Sequence, residues 1–437
     1  ISAQVQSPLL AQGRLQVNLV FPYPTAAWTD EGTNYQDDNK HQSSVVSKQI
    51  HRATLLHQLD TTHYFVQMQW SGQASLQQKA PHSFFLAPSK QQNSFSFSAR
   101  FTPQKKNDPV PDFAATKNSS TTGWKAYWTS GGAIDFSGST DQRAHELERR
   151  VVLSQYLMKA QEAGDYPPQE TGLTYNSWFG KPHLEMTWWH AAHYGFWGRT
   201  QYLESLMDWY ASVVGKARLI AQRQGYEGLR WQKMTDNNGD EAPSSIGAFL
   251  IWQQPHFIYF AEQCYRNTHD KSILEKYKDL VFGTADFMAS FARFDSAKKV
   301  YVLGKGVIAA QERFKAEQTF NPTYELVYWQ WALQTAQQWR QRLGMARNPS
   351  WETVVQKLSP LPVQENKYLF TESATDSYTN PEFRTDHPSV LAALGVMPQT
   401  GQVDLSIMKN TFNWIWNNWT WPDTWGWDFP MTAMTAT

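Results

Sequence analysis

The sequence predicts a multidomain protein of β and α structure, in which an N-terminal antiparallel β-sandwich is followed by an (α/α)6 toroid of helices. The change in hydrophobic period predicts this order. Before about residue 115 apolar and polar residues largely alternate, whereas from about residue 142 apolar residues recur at helical spacing. We therefore expect a β-sandwich domain at 1–115, a linker at 116–141 and the helical domain at 142–437.

Alternation predicts the strands of the first part. Residues 15–20 (LQVNLV), 62–68 (THYFVQM) and 94–98 (SFSFS) place apolar side chains at about every second position. This pattern is typical of antiparallel strands with one face in water. Residues 105–120 are rich in polar side chains and contain two prolines, which predicts a linker.

An apolar stripe predicts the first helix of the second part. Residues 142–163 carry it at positions 147, 151, 152, 153, 156 and 157. No fixed repeat of about 20–50 residues is visible, so a toroid fits this series better than a solenoid. Further helices are predicted at about 187–197, 200–223, 245–265, 271–293, 322–343, 350–357, 386–394 and 404–416.

Charge and composition exclude several classes of protein. The 39 Lys and Arg balance 39 Asp and Glu, so the chain lacks the excess of basic residues that is typical of a nucleic-acid-binding protein. No apolar run approaches about 18 residues, so no membrane span is predicted. The single cysteine, Cys264, excludes an internal disulfide and a multi-cysteine zinc site. From the start at Ile1 and sequons at Asn118 and Asn418, we expect an extracytoplasmic location, periplasmic or secreted.

Aromatic residues are unusually abundant, with 21 Trp, 19 Tyr and 24 Phe making up 15% of the chain. Flat indole rings suit the C–H faces of sugar rings, and their N–H groups can bind hydroxyls. An aromatic core is the alternative, and composition alone does not separate the two.

The densest group of candidate site residues is in segment 168–199 (PQETGLTYNSWFGKPHLEMTWWHAAHYGFWGR). Carboxylates, amides and indoles are the groups that bind and stack on a pyranose, so the segment predicts a sugar subsite. Two histidines at positions 190 and 193 could share a metal ion, but no third ligand is evident and no metal is predicted. The candidate substrate-binding residues here are Glu170, Trp178, His183, Glu185 and Trp188.

A single carboxyl stands out in segment 307–331 (VIAAQERFKAEQTFNPTYELVYWQW). Glu312 precedes a helix whose start is marked by Pro322. A carboxyl desolvated between aromatic segments can stay protonated near neutral pH and protonate a leaving glycosidic oxygen. A solvated loop Glu is the alternative.

The C-terminal segment 413–437 (NWIWNNWTWPDTWGWDFPMTAMTAT) brings tryptophans and carboxylates together. Asp428 beside Trp427 could activate a water, since glycosidases need a second carboxylate as base or nucleophile. The alternative roles for Asp428 are an N-cap and an acceptor for a tryptophan N–H. At the start of the predicted helix 386–394, Asp386 and His387 could present polar groups to sugar hydroxyls. An N-cap is the alternative role for Asp386.

On these residues the chain resembles glycoside hydrolase family 65, the six-hairpin (α/α)6 glycosidases, and uncharacterised bacterial glycosidase-like proteins placed near that family. The likeness runs from about 125 to 437. The family's GPDEYH-like acid loop corresponds to AAQERF, which implies Glu312 as general acid. Its HIFWDTE-like sugar-binding segment corresponds to residues 183–189, which implies Glu185 and Trp188 in substrate binding.

Two departures from the family pattern bear on the reaction. A Lys-Gln pair of the family is replaced near Asp386-His387, which implies different sugar contacts. The family's anion loop is replaced by WDFPMTAMTA, where Asp428 would repel phosphate.

The sequence therefore predicts an inverting, exo-acting glycoside hydrolase that cleaves an oligosaccharide or glycan, with Glu312 as acid and Asp428 as base. Neither a cofactor nor a metal is required by this chemistry. A phosphorylase of the same fold, a polysaccharide lyase and a non-catalytic carbohydrate-binding protein stay open as alternatives. A phosphorylase would depend on inorganic phosphate, and a lyase would form an unsaturated product. A carbohydrate-binding protein would keep its binding in Glu312→Gln.

Overall fold

The computed structural model describes all 437 residues, which form two compact units. The first unit holds residues 1–131 and 175–179, and the second holds residues 132–174 and 180–437. The segment predicted as a linker, 116–141, begins within a helix, Phe113–Thr129, which is capped by the Asp112 carboxylate. That residues 1–115 and 142–437 are separate domains stays a prediction.

Eight strands of the first unit form two antiparallel sheets, which confirms the antiparallel β structure predicted for the N-terminal part. The five-stranded sheet has the order Ser2–Gln6, Ser94–Thr102, Thr62–Trp70, Arg52–Leu59 and Gln42–Gln49. The three-stranded sheet has the order Val17–Val20, Ser83–Pro88 and Ala74–Ala80.

The two sheets share one hydrophobic core, and the period-two pattern explains how. Val66 and Met68 in the larger sheet, and Phe84 and Leu86 in the smaller one, are buried at alternate positions. Alternate side chains of a strand point to the same face, so each sheet turns an apolar face to this core.

Smaller elements complete the first unit. A short helix spans Pro8–Ala11. Strand Thr29–Asp30 pairs with Asn176–Ser177, which explains why residues 175–179 belong to the first unit although the chain has already entered the second.

The second unit is mainly helical. Its α-helices span Ala144–Gln161, Thr187–Phe196, Thr200–Ser212, Val214–Arg223, His256–Thr268, Lys271–Phe291, Thr323–Arg342, Pro349–Lys357, Leu405–Asn418 and Asp428–Ala436. Two short hairpins pair Arg293–Asp295 with Val300–Val302 and Val363–Gln364 with Lys367–Tyr368. Short 3-10 turns cover Trp178–Gly180, which crosses between the units, and Pro381–Arg384, Ser389–Ala393 and Trp421–Asp423.

Three predicted helices differ from the observed ones. The helix predicted at 245–265 begins only at His256, directly after Pro255, a residue that favours a helix start. The helix predicted at 200–223 is divided in two at Val213. The region predicted as helix 386–394 forms only the 3-10 turn Ser389–Ala393.

The long helix Thr323–Arg342 lies at the centre of the second unit. Pro322 precedes it, as the sequence predicted, and the side chains of Trp329, Leu333 and Trp339 are buried. It packs against Lys271–Phe291. None of the helices combines the length and apolar character needed to cross a bilayer.

Candidate active site

One buried ammonium group joins two carboxylates in the second unit. Lys233 Nζ lies 2.9 Å from Glu312 Oε1 and 3.0 Å from Glu185 Oε1. The lysine side chain is only 4% exposed, whereas that of Glu312 is 27% exposed. Lys233 is held through its backbone, since its carbonyl accepts the Leu184 N–H at 2.8 Å.

Glu185 has a second donor, the neighbouring His183. His183 Nε2 lies 2.8 Å from Glu185 Oε1 and 3.6 Å from Glu170 Oε2. Although burial alone would raise the pKa of Glu185, Lys233 and His183 lower it to about 2. Burial lowers the pKa of His183, so its imidazole is neutral and its Nε2–H donates to an ionised Glu185.

Glu312 lies on a loop that is held by hydrogen bonds of the two residues before it, Ala310 and Gln311. The Gln311 side chain donates to the carbonyls of Phe383 and Thr385, at 2.7 and 3.1 Å. The Ala310 N–H donates to the buried Glu325 carboxylate at 2.6 Å. The two Gln311 bonds attach the loop to the segment that precedes Asp386, and the Ala310 bond attaches it to the helix Thr323–Arg342.

Two carboxyls of this cluster hold their protons more strongly than usual. Burial, and then the charge of Glu185, raise the pKa of Glu312, against the opposing effect of Lys233. This direction is expected, because Lys233 already neutralises Glu185 and a second negative charge would stand uncompensated. Burial and the charge of Glu185 likewise raise the pKa of Glu170 to about 8.

A second group of side chains is built on one histidine. His387 Nδ1 lies 2.9 Å from Asp428 Oδ1, and its Nε2 lies 3.4 Å from Asp386 Oδ1. Burial opposes protonation of His387, but the two aspartates outweigh it and raise its pKa. His387 therefore favours its cationic form more than a free imidazole does, and it lies beside both aspartates.

The two aspartates differ in what their oxygens contact. Asp428 is fully buried, and its second oxygen accepts the Trp425 N–H at 2.8 Å. Asp386 accepts the Trp425 indole N–H through Oδ1 at 2.9 Å, whereas its Oδ2 faces only Arg313 Nε, at 3.7 Å. Asp386 also has a φ of +67°, a strained conformation that is concentrated at functional sites.

Tryptophans line the second group. The ring of Trp427 stacks on His387 at 4.0 Å and on Trp252 at 6.0 Å. Trp189 contacts Trp427 at 5.2 Å, and the buried Trp188 packs behind Trp189.

The structure brings nine of the ten predicted residues into these groups. Arg313, next to Glu312, approaches Asp386, and the charge of Asp386 contributes to the raised pKa of Glu312. The tenth, Trp178, belongs to the first unit, where its ring contacts Trp28 at 4.7 Å. The residues brought together are Glu170, His183, Glu185, Trp188, Glu312, Asp386, His387, Trp427 and Asp428. Their roles stay predictions.

Sequence reasoning missed Lys233, Gln311 and Arg313. A lysine inside a stretch of large side chains (LRWQKM) was the available signal for Lys233. Glu170, His183 and Glu185 stand close enough to hold a cation, but Glu185 Oε1 already binds the Lys233 ammonium, with which an ion would compete.

No protein-family model matches the sequence, and no curated protein matches it. Among solved structures, one from human microbiome that carries the provisional name kojibiose phosphorylase is similar to this chain, with a TM-score of 0.62 and 12% sequence identity. The match covers 94% of this chain and 60% of that one, so the chain spans less than two thirds of that protein. At this identity the likeness concerns the fold alone, and it agrees with the fold that the family 65 resemblance implies.

Proposed function

We propose that this protein cleaves glycosidic bonds, as an inverting, exo-acting hydrolase of an oligosaccharide or glycan. The observation that carries the proposal is Glu312: a half-buried carboxyl with a raised pKa, held by Lys233 and electrostatically coupled to Asp386 and His387. In keeping with the fold, we also propose that the helices form an (α/α)6 toroid. The extracytoplasmic location stays a proposal from the sequence.

Glu312 acts as the general acid. Its carboxyl proton passes to the leaving glycosidic oxygen as the bond from that oxygen to the anomeric carbon breaks. Lys233 positions the carboxyl without taking its proton, because the lysine charge is shared with the ionised Glu185. After each turnover the carboxylate is reprotonated from water.

For the base we propose Asp386 in place of Asp428. Both oxygens of Asp428 are hydrogen-bonded and its side chain is fully buried, so a water has less access to Asp428 than to Asp386, whose side chain is 8% exposed. Asp386 Oδ2 has no protein donor within hydrogen-bond distance, and the His387 imidazole, whose pKa is raised, lies beside Asp386 and favours its negative charge. Asp386 takes a proton from the water that attacks the anomeric carbon, and Asp428 holds His387 in position.

The sugar subsite is proposed around these two carboxyls. Glu170, protonated at neutral pH, can donate to a sugar hydroxyl, and the ionised Glu185 can accept from one. Trp427 and Trp189 offer indole faces for a sugar ring. Trp178 stays a sugar contact predicted from the sequence.

Phosphorolysis is the second candidate reaction, and two observations favour it. The similar solved structure carries a phosphorylase name. The raised pKa of His387 and the exposed Arg313 also provide positive charge near Glu312. In that reaction phosphate would replace water as nucleophile, and no base would be needed.

A disaccharide screen with and without inorganic phosphate, followed by proton NMR of fresh products, tests both. Free sugar of inverted anomeric configuration, formed at a rate independent of phosphate, supports inverting hydrolysis. A sugar 1-phosphate formed only with phosphate supports phosphorolysis. Retained configuration, or no turnover of any glycoside, contradicts the proposed mechanism.

A further inference from the structure

Three buried histidines converge in the first unit, from segments far apart in the sequence. His41 precedes strand Gln42–Gln49, His57 lies in strand Arg52–Leu59, and His82 lies in the turn before strand Ser83–Pro88. Their exposed fractions are 6%, 4% and 5%. One nitrogen atom of each ring lies within 4.8 Å of the others.

The hydrogen bonds of His82 determine which of its nitrogens carries the proton. Its Nε2 lies 2.9 Å from the Asp38 carbonyl oxygen, which can only accept, so Nε2 bears the hydrogen. In the neutral ring, Nδ1 then presents a lone pair to the cluster. Histidines that bind metal ions commonly donate their outer N–H to a backbone carbonyl in this way.

Ser43 links two of the rings and supplies an oxygen atom. Its Oγ lies 2.8 Å from His82 Nδ1 and 2.8 Å from His57 Nδ1. Because His82 Nδ1 needs a donor, the single hydroxyl proton goes to it, and the Ser43 oxygen accepts from His57. Three nitrogen-bearing rings and one hydroxyl thus surround one small volume.

His41 supplies the observation that hydrogen bonding within the chain does not explain. Its Nδ1 is buried and has no hydrogen-bond partner, and its ring lies parallel to His82 at a centroid distance of 3.5 Å. A buried polar atom without a partner costs about 1–3 kcal/mol, and a bound ion would remove that cost.

We propose that His41, His57 and His82 form a binding site for a divalent transition-metal ion, with Zn2+ the preferred occupant. Neutral imidazoles suit Zn2+ and its neighbours, whereas Ca2+ and Mg2+ prefer several oxygen ligands. Ligands on a tetrahedral Zn2+ at about 2.1 Å lie about 3.4 Å apart, so on binding the nitrogens would move closer than 4.8 Å and the parallel rings of His41 and His82 would tilt until both lone pairs face one ion. On binding, the ion would replace the Ser43 hydroxyl proton at His82 Nδ1, and Ser43 Oγ or a water would complete the coordination.

The proposal is independent of the reaction proposed above, and metal alone tests it. The full chain, untagged and freed of metal with a chelator, is titrated with Zn2+ and with Co2+. We expect one equivalent of Zn2+ to bind and to raise the melting temperature, and Co2+ to give the intense visible absorption of tetrahedral coordination. Elemental analysis after dialysis gives the stoichiometry.

Matched variants assign the site. His57→Gln and His41→Gln should each weaken Zn2+ binding at least tenfold and abolish the melting-temperature shift. His51→Gln and His63→Gln, at exposed histidines of the same sheet, should bind as wild type does. Glu185→Gln should also keep the three-histidine site, because Glu185 belongs to a different cluster, that of Glu170, His183 and Glu185.

Three results would overturn the proposal. One is a wild-type protein that binds no Zn2+ and shows no rise in melting temperature when Zn2+ is added. Another is an octahedral Co2+ spectrum, which would indicate adventitious oxygen ligands. The third is unchanged binding in folded His41→Gln, and if His57→Gln does not fold, this variant and the wild-type spectrum decide the matter.

Discussion

Lys233 donates a hydrogen bond to Glu312 across 79 residues of sequence, and the same ammonium group contacts Glu185. One positive charge is therefore divided between two carboxylates. Since His183 also donates to Glu185, Glu185 is the ionised partner, and Glu312 is the one whose pKa is raised. This relationship makes the proposed acid testable in several independent ways.

Replacing Glu312 by Gln should lower kcat by a factor on the order of 10² to 10⁴, because the amide cannot donate a proton to the leaving oxygen. Substrates with good leaving groups, such as nitrophenyl glycosides, should partly restore the rate. Glu317→Gln, at an exposed carboxylate five residues later, should behave as wild type. Wild-type kcat for Glu312→Gln on a natural glycoside would remove the assignment.

Glu170 offers the contrasting case. With a pKa of about 8 it is protonated at pH 6, so Gln keeps its donor and its shape. We expect Glu170→Gln to lose less than tenfold in kcat/KM at pH 6, and Glu170→Ala to lose more, mainly through KM. A loss above about 100-fold in Glu170→Gln, with leaving-group dependence, would transfer the acid role from Glu312 to Glu170.

Lys233→Met should affect both stability and the pH profile. Removing one partner of a buried ion pair costs about 3–5 kcal/mol of unfolding free energy, which urea denaturation measures. Lys233 lowers the pKa of Glu312, so its loss should move the alkaline limb of kcat to higher pH. Lys216→Met, at an exposed ion pair with Asp240, is the matched control and should change stability by less than about 1 kcal/mol. An unmoved alkaline limb in folded Lys233→Met would contradict the positioning role.

Chemical rescue should distinguish the roles of Asp386 and Asp428. Asp386→Ala should lose on the order of 10² to 10⁴ in kcat, and azide should restore turnover by attacking the anomeric carbon in place of water. Asp428→Asn should lose activity without azide rescue, and the pKa of His387 should fall, because the nearest anion is gone. NMR titration of the imidazole measures that shift. Rescue of the Asp428 variant alone would return the base role to Asp428.

The free energy of unfolding should decrease as the pH rises from about 5 to about 8. Burial raises the pKa of Glu162 to about 8, so the folded chain binds a proton that the unfolded chain has already released in this range. The unfolding free energy then falls by up to about 1.4 kcal/mol per pH unit for such a group. Glu162→Gln should flatten the decline in urea denaturation, whereas Glu275→Gln, at an exposed carboxylate, should not. A steeper decline in Glu162→Gln would show that the sign is wrong.

Local patterns were sufficient for much of the fold and for the choice of segments. The change from a period of two to helical spacing depends only on how a strand or a helix presents neighbouring side chains, so it could be predicted without any long-range contact. The same holds for Pro322 before a long helix. At Val213 and before Pro255 the sequence pattern did not indicate where one helix ends and the next begins, and the observed helix boundaries differ from the predicted ones.

Sequence alone determined the class of structure and the chemical types gathered near residues 170–190, 312, 386 and 428. Only the tertiary structure decided which groups meet, because hydrogen bonds across 41 residues, as from His387 to Asp428, follow from helix packing and not from spacing. In the tertiary structure Asp428 is buried, Lys233 pairs with Glu312, and three histidines that are 16 and 25 residues apart in sequence lie together. Burial and proximity set the protonation of a side chain, and neither is a property of the residue type.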